Sequence, residues 1–161
     1  MKVNYVLATA LLFAASFAAV VAAETAVAAV AVQGGTRDSP GQRMPDGTVY
    51  AGVSPETGKA MFTTAADAPA TCTFNQAQEN AVKLDARGRR DWRVPTKDEL
   101  NVLYQNRAAI GGFEESGSEL LGWYWSSSPY SHRSAWAQRF SDGHQDYYDG
   151  KLNISSMRCV R

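Results

Sequence analysis

Residues 91–100 read Asp-Trp-Arg-Val-Pro-Thr-Lys-Asp-Glu-Leu, and this stretch decides the fold. It predicts a short strand that stops at Pro95 and then a helix that closes near Asn106. Thr96 and Glu99 are three residues apart, which is the spacing of a capping box at the start of a helix. The apolar stripe of this helix has the i, i+3, i+4 spacing of a face that packs on a core. It is formed by Leu100, Leu103 and Tyr104.

Two predicted strands and another predicted helix precede this stretch. Residues 47–53 and 59–64 have strand composition, and the Pro-Glu-Thr-Gly turn between them predicts a hairpin. Thr73 and Gln76 form a second capping box, which predicts a first helix that ends at Gly88. The chain therefore begins its domain with strands and continues with two helices.

The chain after residue 122 is rich in aromatic residues at strand spacing. Residues 123–128 and 134–140 predict two strands, residues 147–148 a short strand and residues 157–161 a terminal strand. Strands, two helices and further strands are typical of an α+β domain in which two helices pack against an antiparallel sheet. Size and alternation assign five large aromatic side chains to the core, with stacking on a sugar as the alternative for any one of them. They are Trp92, Trp123, Trp125, Trp136 and Phe140.

The N-terminal part of the chain has the composition of a targeting segment. Lys2 precedes an apolar run that ends in small residues, so residues 1–23 are predicted to be a signal peptide cleaved before Glu24. Cleavage at Ala28 or Ala29 is an alternative. An uncleaved membrane anchor is another, because the apolar run is just long enough to span a bilayer.

The rest of the chain divides into a linker and one domain. Residues 24–43 have linker composition without a core-forming period and are predicted to be disordered. Residues 44–161 remain for a single domain of a common size. The expected location of this domain is outside the cytoplasm, in the periplasm or in the extracellular space.

The charge balance excludes a general nucleic-acid-binding surface. The chain has 16 basic and 16 acidic residues, so it has no excess of positive charge to attract phosphates. One local basic cluster is either a solvated helix end or a contact for a sulfated or otherwise anionic polysaccharide. It consists of Arg87, Arg89, Arg90 and Arg93.

Cys72 and Cys159 are the two cysteines of the chain. In an exported protein two cysteines are expected to form a disulfide, which would tie the start of the first helix to the last strand. Two free thiols, one of them nucleophilic, are the alternative. That alternative is disfavoured because neither cysteine has a neighbouring histidine to lower its pKa.

Three blocks of sequence resemble a known family. They are Asp-Trp-Arg-Val-Pro-Thr-x-x-Glu-Leu at 91–100, Tyr-Trp-Ser-Ser-Ser at 124–128 and Met-Arg-Cys-Val-Arg at 157–161. Residues 46–161 resemble secreted bacterial domains of unknown function, typified by the C-terminal domain of collagen-like adhesins. That family is similar to the C-type-lectin-like fold, in which a disulfide between the first helix and the last strand is usual. Pro129 departs from the family pattern.

The resemblance extends to an enzyme but does not imply its activity. Formylglycine-generating enzymes share the fold and a block matched here by Arg93, Pro95, Thr96 and Glu99. Their chemistry needs a pair of reactive cysteines, which this chain lacks. Because no other catalytic arrangement can be assembled from the sequence, we expect no enzymatic activity and no cofactor.

Calcium binding is the remaining ionic hypothesis. Asp142, Asp146 and Asp149 lie close together and carry the oxygen ligands that calcium prefers. Their spacing does not match an EF-hand loop, and the carbohydrate motifs of calcium-dependent lectins are absent. Surface turn residues are the favoured interpretation, so no metal site is assigned.

The sequence therefore favours a binding module. Two loops combine aromatic rings with directional hydrogen-bonding groups, which is the usual chemistry of recognition loops. Their candidate ligand-binding residues are Tyr130, His132, Arg133, His144, Asp146, Tyr147 and Tyr148. The expected partner is a glycan or a surface protein. A cell-envelope structural or assembly domain without a soluble ligand is the alternative function.

Overall fold

The computed structural model describes residues 38–118, 121–147 and 150–161. The predicted signal peptide and residues 24–37 of the predicted linker lie outside these residues. The compact unit runs from Asp38 to Arg161, so residues 38–43, which were predicted as linker, lie within it. The Gly41 N–H donates to the Tyr50 carbonyl at 2.9 Å. In the part of the chain that is described, no helix is long and apolar enough to cross a membrane.

The predicted hairpin is confirmed. Strand β1 is Val49–Val53 and strand β2 is Ala60–Thr63, and the two pair antiparallel in a two-stranded sheet. The register shifts between Tyr50 and Gly52, as in a β-bulge. The Pro-Glu-Thr-Gly turn lies between the strands, as its composition predicts.

The helices begin where the capping boxes place them. Helix α1 is Phe74–Lys83 and helix α2 is Lys97–Gln105, and both N-terminal threonines make the reciprocal bonds of a capping box. Helix α1 ends at Lys83 and not at Gly88, because Leu84 already has extended backbone angles. A one-turn helix α3, Arg107–Ile110, follows α2 and was not predicted.

The second sheet has three antiparallel strands in the order β3-β4-β5. Strand β3 is Trp123–Pro129, β4 is Ala135–Arg139 and β5 is Gln145–Asp146. Strand β5 therefore lies two residues before the short strand predicted at residues 147–148.

The helices cover opposite faces of the three-stranded sheet. Phe74 of α1 meets the Trp125 ring edge-on at 5.9 Å, whereas Tyr104 of α2 meets Phe140, just after β4, at 5.6 Å. This arrangement separates two hydrophobic clusters. One contains Trp92, Trp123 and Trp125, and the other contains Tyr124 and Phe140.

The C-terminal segment joins the two sheets. Val160 forms single antiparallel bridges with Thr63 of the hairpin and with Arg93, and Ser156 forms a parallel bridge with Tyr124 of β3. Because the segment changes partner every few residues, neither it nor the stretch around Arg93 forms the regular strand that was predicted. The α+β class is confirmed, but with two antiparallel sheets in place of one.

Cys72 and Cys159 are buried free thiols, so the predicted disulfide is absent. Both belong to the same hydrophobic cluster, where a thiol packs as a small apolar side chain. The carbonyl of Cys72 accepts a hydrogen bond from the Trp125 indole at 2.8 Å, which holds its backbone. Element positions predict that two cysteines lie near each other, but a disulfide also needs a specific side-chain geometry that the sequence does not contain.

Glu99 connects the start of α2 to the hairpin through hydrogen bonds. Its fully buried carboxylate accepts hydrogen bonds from the Ser54 hydroxyl at 2.6 Å and the Thr96 N–H at 3.0 Å, and it pairs with both terminal nitrogens of Arg93. Burial alone raises the pKa of this carboxyl. The hydrogen bonds from Arg93, Ser54 and Thr96 outweigh burial and lower its pKa to about 2, so the group is ionised at neutral pH.

Candidate functional site

Three aromatic rings meet at one end of the strands of the three-stranded sheet, and we call them the aromatic platform. Tyr130 directly follows β3, Trp136 lies in β4 and Tyr147 directly follows β5. The turn after β3 is closed by the Tyr130 N–H, which donates to the Ser134 carbonyl at 3.0 Å. Because the strands are antiparallel neighbours, residues distant in sequence come together at this end of the sheet.

The rings of the aromatic platform are in mutual contact. Tyr130 and Tyr147 stack with ring centroids 3.7 Å apart and planes 17° from parallel. Trp136 meets both rings edge to face, at 5.2 Å from Tyr147 and 5.8 Å from Tyr130. The ammonium group of Lys97 lies 3.5 Å from the centre of a Trp136 ring, which is the geometry of a cation–π interaction.

The aromatic platform is open to solvent. Tyr130 is 53% exposed and Tyr147 is 40% exposed, whereas Trp136 is half-buried beside them. Trp136 is therefore not the core residue that its spacing predicted. In a stacked pair each ring covers one face of the other, so the outer faces and edges supply the exposed area. A hydrogen bond with Tyr130 raises the pKa of the Tyr147 phenol, which is therefore uncharged at neutral pH.

Side-chain amides hold the aromatic platform in place. The Gln145 side-chain N–H donates to the Lys97 carbonyl at 3.1 Å and to the Gln138 side chain at 3.3 Å. Gln138 in turn donates to Asn101 of α2 at 3.0 Å. The Lys97 N–H donates to the Ser128 hydroxyl at 3.0 Å. These contacts connect β3, β4, β5 and α2, so the aromatic platform stands on regular elements.

The structure separates the predicted site residues into two groups. Tyr130 and Tyr147 meet in the aromatic platform, and the exposed His132 and Arg133 lie in the turn that carries Tyr130. Tyr148 and Asp149 lie outside the described residues. The remaining two residues, His144 and Asp146, belong to a different surface.

His144 and Asp146 point away from the aromatic platform. They alternate with Gln145 and Tyr147 in the segment 144–147, whose two central residues form β5, and successive residues of an extended segment face opposite sides. The His144 ring meets Trp123 edge-on at 6.0 Å, and its Nε2 lies 3.4 Å from the Asp146 carboxylate. The sequence grouped His144 and Asp146 with Tyr147 because they are close in the chain. The alternation of side chains along an extended segment places them on opposite faces.

Carboxylates neutralise most of the predicted basic cluster. Arg89 pairs with Asp46 at 3.4 Å and Arg90 with Asp85 at 2.9 Å, while Arg93 pairs with Glu99. A surface whose arginines are already paired attracts anions less than its sequence suggests. The paired arginines are therefore weaker support for a sulfated-polysaccharide interface than the sequence of the basic cluster suggested.

The described residues contain no group of three or more histidine, cysteine or acidic side chains that could hold a metal ion. Asp142 instead pairs with Arg139 in two hydrogen bonds and accepts the His144 N–H. These contacts, with the Arg139 side chain first, lower the pKa of Asp142 to about 2.

An apolar cavity of about 320 Å³ opens between α1 and the loop after β2. Its walls include Ala66, Pro69, Leu84 and Met157. The acidic group in this wall, Asp67, is already bonded to Arg158 and Tyr124. The cavity therefore has few polar groups to orient a ligand.

The sequence assigned Trp136 to the core, with sugar stacking as the alternative, and gave Lys97 no place in the predicted site. The available signal was that Trp136 shares a strand face with Gln138, a polar residue, and lies in a segment between two turns. Lys97 follows the capping threonine of α2 and was considered only for its place in the helix. Their contact depends on the packing of α2 against the sheet.

Comparison with known proteins agrees with the blocks of sequence described above. No curated protein matches the chain. The family model described as Lcl C-terminal domain matches residues 53–161, which is more than half of the chain. The matched region contains the aromatic platform, helices α1, α2 and α3, and the C-terminal segment. The chain belongs to the Lcl C-terminal domain family.

Proposed function

We propose that the protein is an exported binding module that recognises a glycan by stacking a sugar ring on the aromatic platform. The observation that carries this proposal is the exposed Tyr130–Tyr147 stack with Trp136 beside it. Three aromatic rings in mutual contact normally lie in a core. Their exposure at the end of a sheet that is held by hydrogen bonds to a helix is typical of a binding surface.

The chemistry of the aromatic platform suits a sugar. One face of a pyranose ring carries C–H groups that pack on an aromatic ring, while the hydroxyls at its rim need hydrogen-bonding partners. The phenol hydroxyls of Tyr130 and Tyr147 can both donate and accept hydrogen bonds. Lys97 beside Trp136 and the exposed Arg133 add donors at the margin. Tyrosine also supplies contact area at low cost in conformational entropy.

Family membership supports the cellular part of the proposal. A chain of the Lcl C-terminal domain family is expected to act as an adhesin-like domain in a secreted or surface protein. The predicted signal peptide is consistent with that location. We also infer a C-type-lectin-like architecture, since the last residues pair back onto the first hairpin through Thr63 and Val160 and enclose two helices between them.

The proposal assigns no catalysis to this chain. A nucleophilic cysteine needs a lowered pKa and access to substrate. Burial raises the pKa of both thiols, that of Cys159 to about 12, and each lies in the core. A binding function is therefore better supported than an enzymatic one.

A glycan array with the purified full-length protein tests the proposal. We expect specific binding that falls about tenfold or more in Tyr130→Ala and Tyr147→Ala, because truncated aromatic anchors typically dominate binding energy. Val82→Ala is the matched control, since Val82 is an exposed apolar residue on α1 with 75% of its surface accessible.

Binding that is unaffected by both tyrosine variants would contradict the aromatic platform as the site. An array without hits, together with a reproducible envelope protein in pull-down experiments, would contradict glycan recognition. That result would favour the alternative, a structural or assembly domain of the cell envelope.

A further inference from the structure

A groove of about 410 Å³ lies where the hairpin turn, α1, the start of α2 and β3 meet, and we call it the Gln78 groove. Its volume is in the range of small-molecule sites. Four separate segments of the chain converge on it. Its walls contain Glu56, Thr57, Gln78, Arg93, Thr96 and Ser127.

Most polar groups of the Gln78 groove already have partners within the protein. The Glu99 carboxylate is fully buried and saturated by Ser54, Arg93 and Thr96. The Ser127 hydroxyl donates to the Pro95 carbonyl at 3.2 Å. These groups shape the groove but leave little hydrogen-bonding capacity for a ligand.

The side-chain amide nitrogen of Gln78 differs from these groups. It is buried and has no hydrogen-bond partner in the described part of the protein. Buried donors are nearly always paired in folded proteins, because water has been removed from them without replacement. A donor left over in the wall of a groove points to an acceptor that comes from outside the protein.

The charges in the groove favour a neutral partner. Arg93 is 44% exposed, and two of its five N–H groups bind Glu99, so others are available. Its positive charge is balanced by Glu99, and Glu56 adds a negative charge close enough to raise the pKa of Arg93. The groove thus offers donors and a carboxylate acceptor without net positive charge, which suits hydroxyls better than sulfate or phosphate.

The Gln78 groove adjoins the aromatic platform. Thr96 and Ser127 line the groove, and the residues that follow them, Lys97 and Ser128, bond to each other. Lys97 also covers the Trp136 ring of the aromatic platform. Consecutive residues are only about 3.8 Å apart along the chain, so the two surfaces meet at the start of α2.

We propose that the Gln78 groove is a second sugar subsite, which takes a neutral, hydroxyl-rich residue next to the ring stacked on the aromatic platform. The inference rests on the proposed function and deepens it. The protein then recognises a neutral oligosaccharide of two or more residues, because neither surface alone contacts a whole ligand of that length.

The test compares chain length and subsite variants. Neutral trisaccharides of glucose, galactose and N-acetylglucosamine, the matching monosaccharides and a sulfated disaccharide are titrated into the full-length protein by calorimetry. Gln78→Leu removes the unpaired donor. Asn75→Leu is its control, because Asn75 is an exposed amide on the same helix outside the groove.

We expect the wild-type protein to bind a trisaccharide more tightly than its monosaccharide. Gln78→Leu should lower trisaccharide affinity about tenfold, the effect of one lost hydrogen bond of ordinary strength, and leave monosaccharide affinity unchanged. Tyr147→Ala should weaken both ligands. In ¹⁵N spectra the Gln78 side-chain amide signal should shift with the trisaccharide and stay in place with the monosaccharide.

The outcomes separate the two proposals. Trisaccharide affinity that falls in Tyr147→Ala but not in Gln78→Leu would overturn the subsite and leave the proposed function standing. Preferential binding of the sulfated disaccharide through Gln78 would overturn the inference of a neutral ligand. Failure of every sugar to bind the wild-type protein would overturn both.

Discussion

One sheet carries two aromatic clusters that have similar contacts and opposite exposure. In the buried aromatic cluster, Tyr124 and Phe140 are fully buried with centroids 4.3 Å apart, and Phe113 packs on both. In the aromatic platform, Tyr130 and Tyr147 stack at 3.7 Å but remain about half exposed. Ring contacts alone therefore do not distinguish a core from a binding surface.

The polar partners of the two clusters make the difference. The Tyr124 hydroxyl donates to the Asp67 carboxylate at 2.5 Å and accepts the Glu114 N–H at 2.6 Å. Arg158 is buried, bonds to Asp67 at 2.8 Å and covers the Phe113 ring. Every polar group there has a partner from a distant segment, whereas the phenols of the aromatic platform bind each other and face solvent. An interior must satisfy its polar groups, but a binding surface keeps some of them for a ligand.

The largest expected effect is on the buried aromatic cluster. Phe140→Ala should lower the free energy of unfolding by about 3–5 kcal/mol, because it removes a fully buried ring and leaves a cavity. Trp92→Ala should have a cost of the same size, since Trp92 is only 3% exposed. Urea unfolding followed by tryptophan or tyrosine fluorescence measures both. A cost below about 1 kcal/mol for Phe140→Ala would remove the contrast between the clusters.

The second effect is a pH dependence at Glu99. Its pKa in the folded protein is about 2, below its ordinary value of 4.5, so its stabilising contribution is complete above pH 4.5 and is lost as the pH falls towards 2. The contribution should be about 3 kcal/mol, from 1.36 kcal/mol per pKa unit. Urea unfolding of wild type and Glu99→Gln at pH 7 and pH 2.5 measures it. Equal pH dependence in both proteins would show that Glu99 is not the responsible group.

A smaller effect is expected when only a hydroxyl is removed from the buried aromatic cluster. Tyr124→Phe should lower the free energy of unfolding by about 1–3 kcal/mol, because the Glu114 N–H loses its acceptor and Asp67 loses one donor. The matched change in the aromatic platform, Tyr147→Phe, should have almost no effect on thermal unfolding. Equal costs would mean that the phenols of the two clusters do not differ as their partners indicate.

The aromatic platform should tolerate truncation. Tyr147→Ala should change the free energy of unfolding by less than about 0.5 kcal/mol, the usual size for an exposed residue away from the core. The same measurement as for Phe140→Ala provides the direct comparison. A cost near that of Phe140→Ala would mean that the aromatic platform is part of the core.

The smallest expected effect is that of a reductant. Because Cys72 and Cys159 are free thiols, dithiothreitol should leave the melting temperature unchanged. A thiol reagent should modify two cysteines in unfolded protein and almost none in folded protein, since both are buried and their pKa values are raised. If unreduced, unfolded protein contains no free thiols, Cys72 and Cys159 form a disulfide and this prediction is wrong.

Local sequence signals predicted the elements whose formation is local. The two capping boxes placed the starts of α1 and α2, and the hairpin turn placed β1 and β2. These predictions succeeded because each depends on hydrogen bonds between residues two to five positions apart. The end of α1 was placed five residues too late, since the Gly88 signal could not show that the backbone becomes extended at Leu84.

The candidate site could be predicted only in part. Composition and turn position predicted one site that contains Tyr130, Tyr147, His144 and Asp146. The structure brings Tyr130 and Tyr147 together and places His144 and Asp146 on the other face, because successive side chains of a strand alternate. Trp136 was assigned to the core because a strand pattern shows which residues share a face and does not show how far a neighbouring helix covers that face. Lys97 enters the aromatic platform only because α2 packs beside β4.

The sequence by itself determined the α+β class, the starts of both long helices, the hairpin and the family, because these depend on short-range pattern and on local hydrogen bonding. The tertiary structure alone decided that the cysteines stay unpaired, that the C-terminal segment bridges two sheets, and that Trp136 stands at the surface with Tyr130 and Tyr147. Burial and side-chain contact between distant segments depend on how whole elements pack, and no window of sequence contains that information.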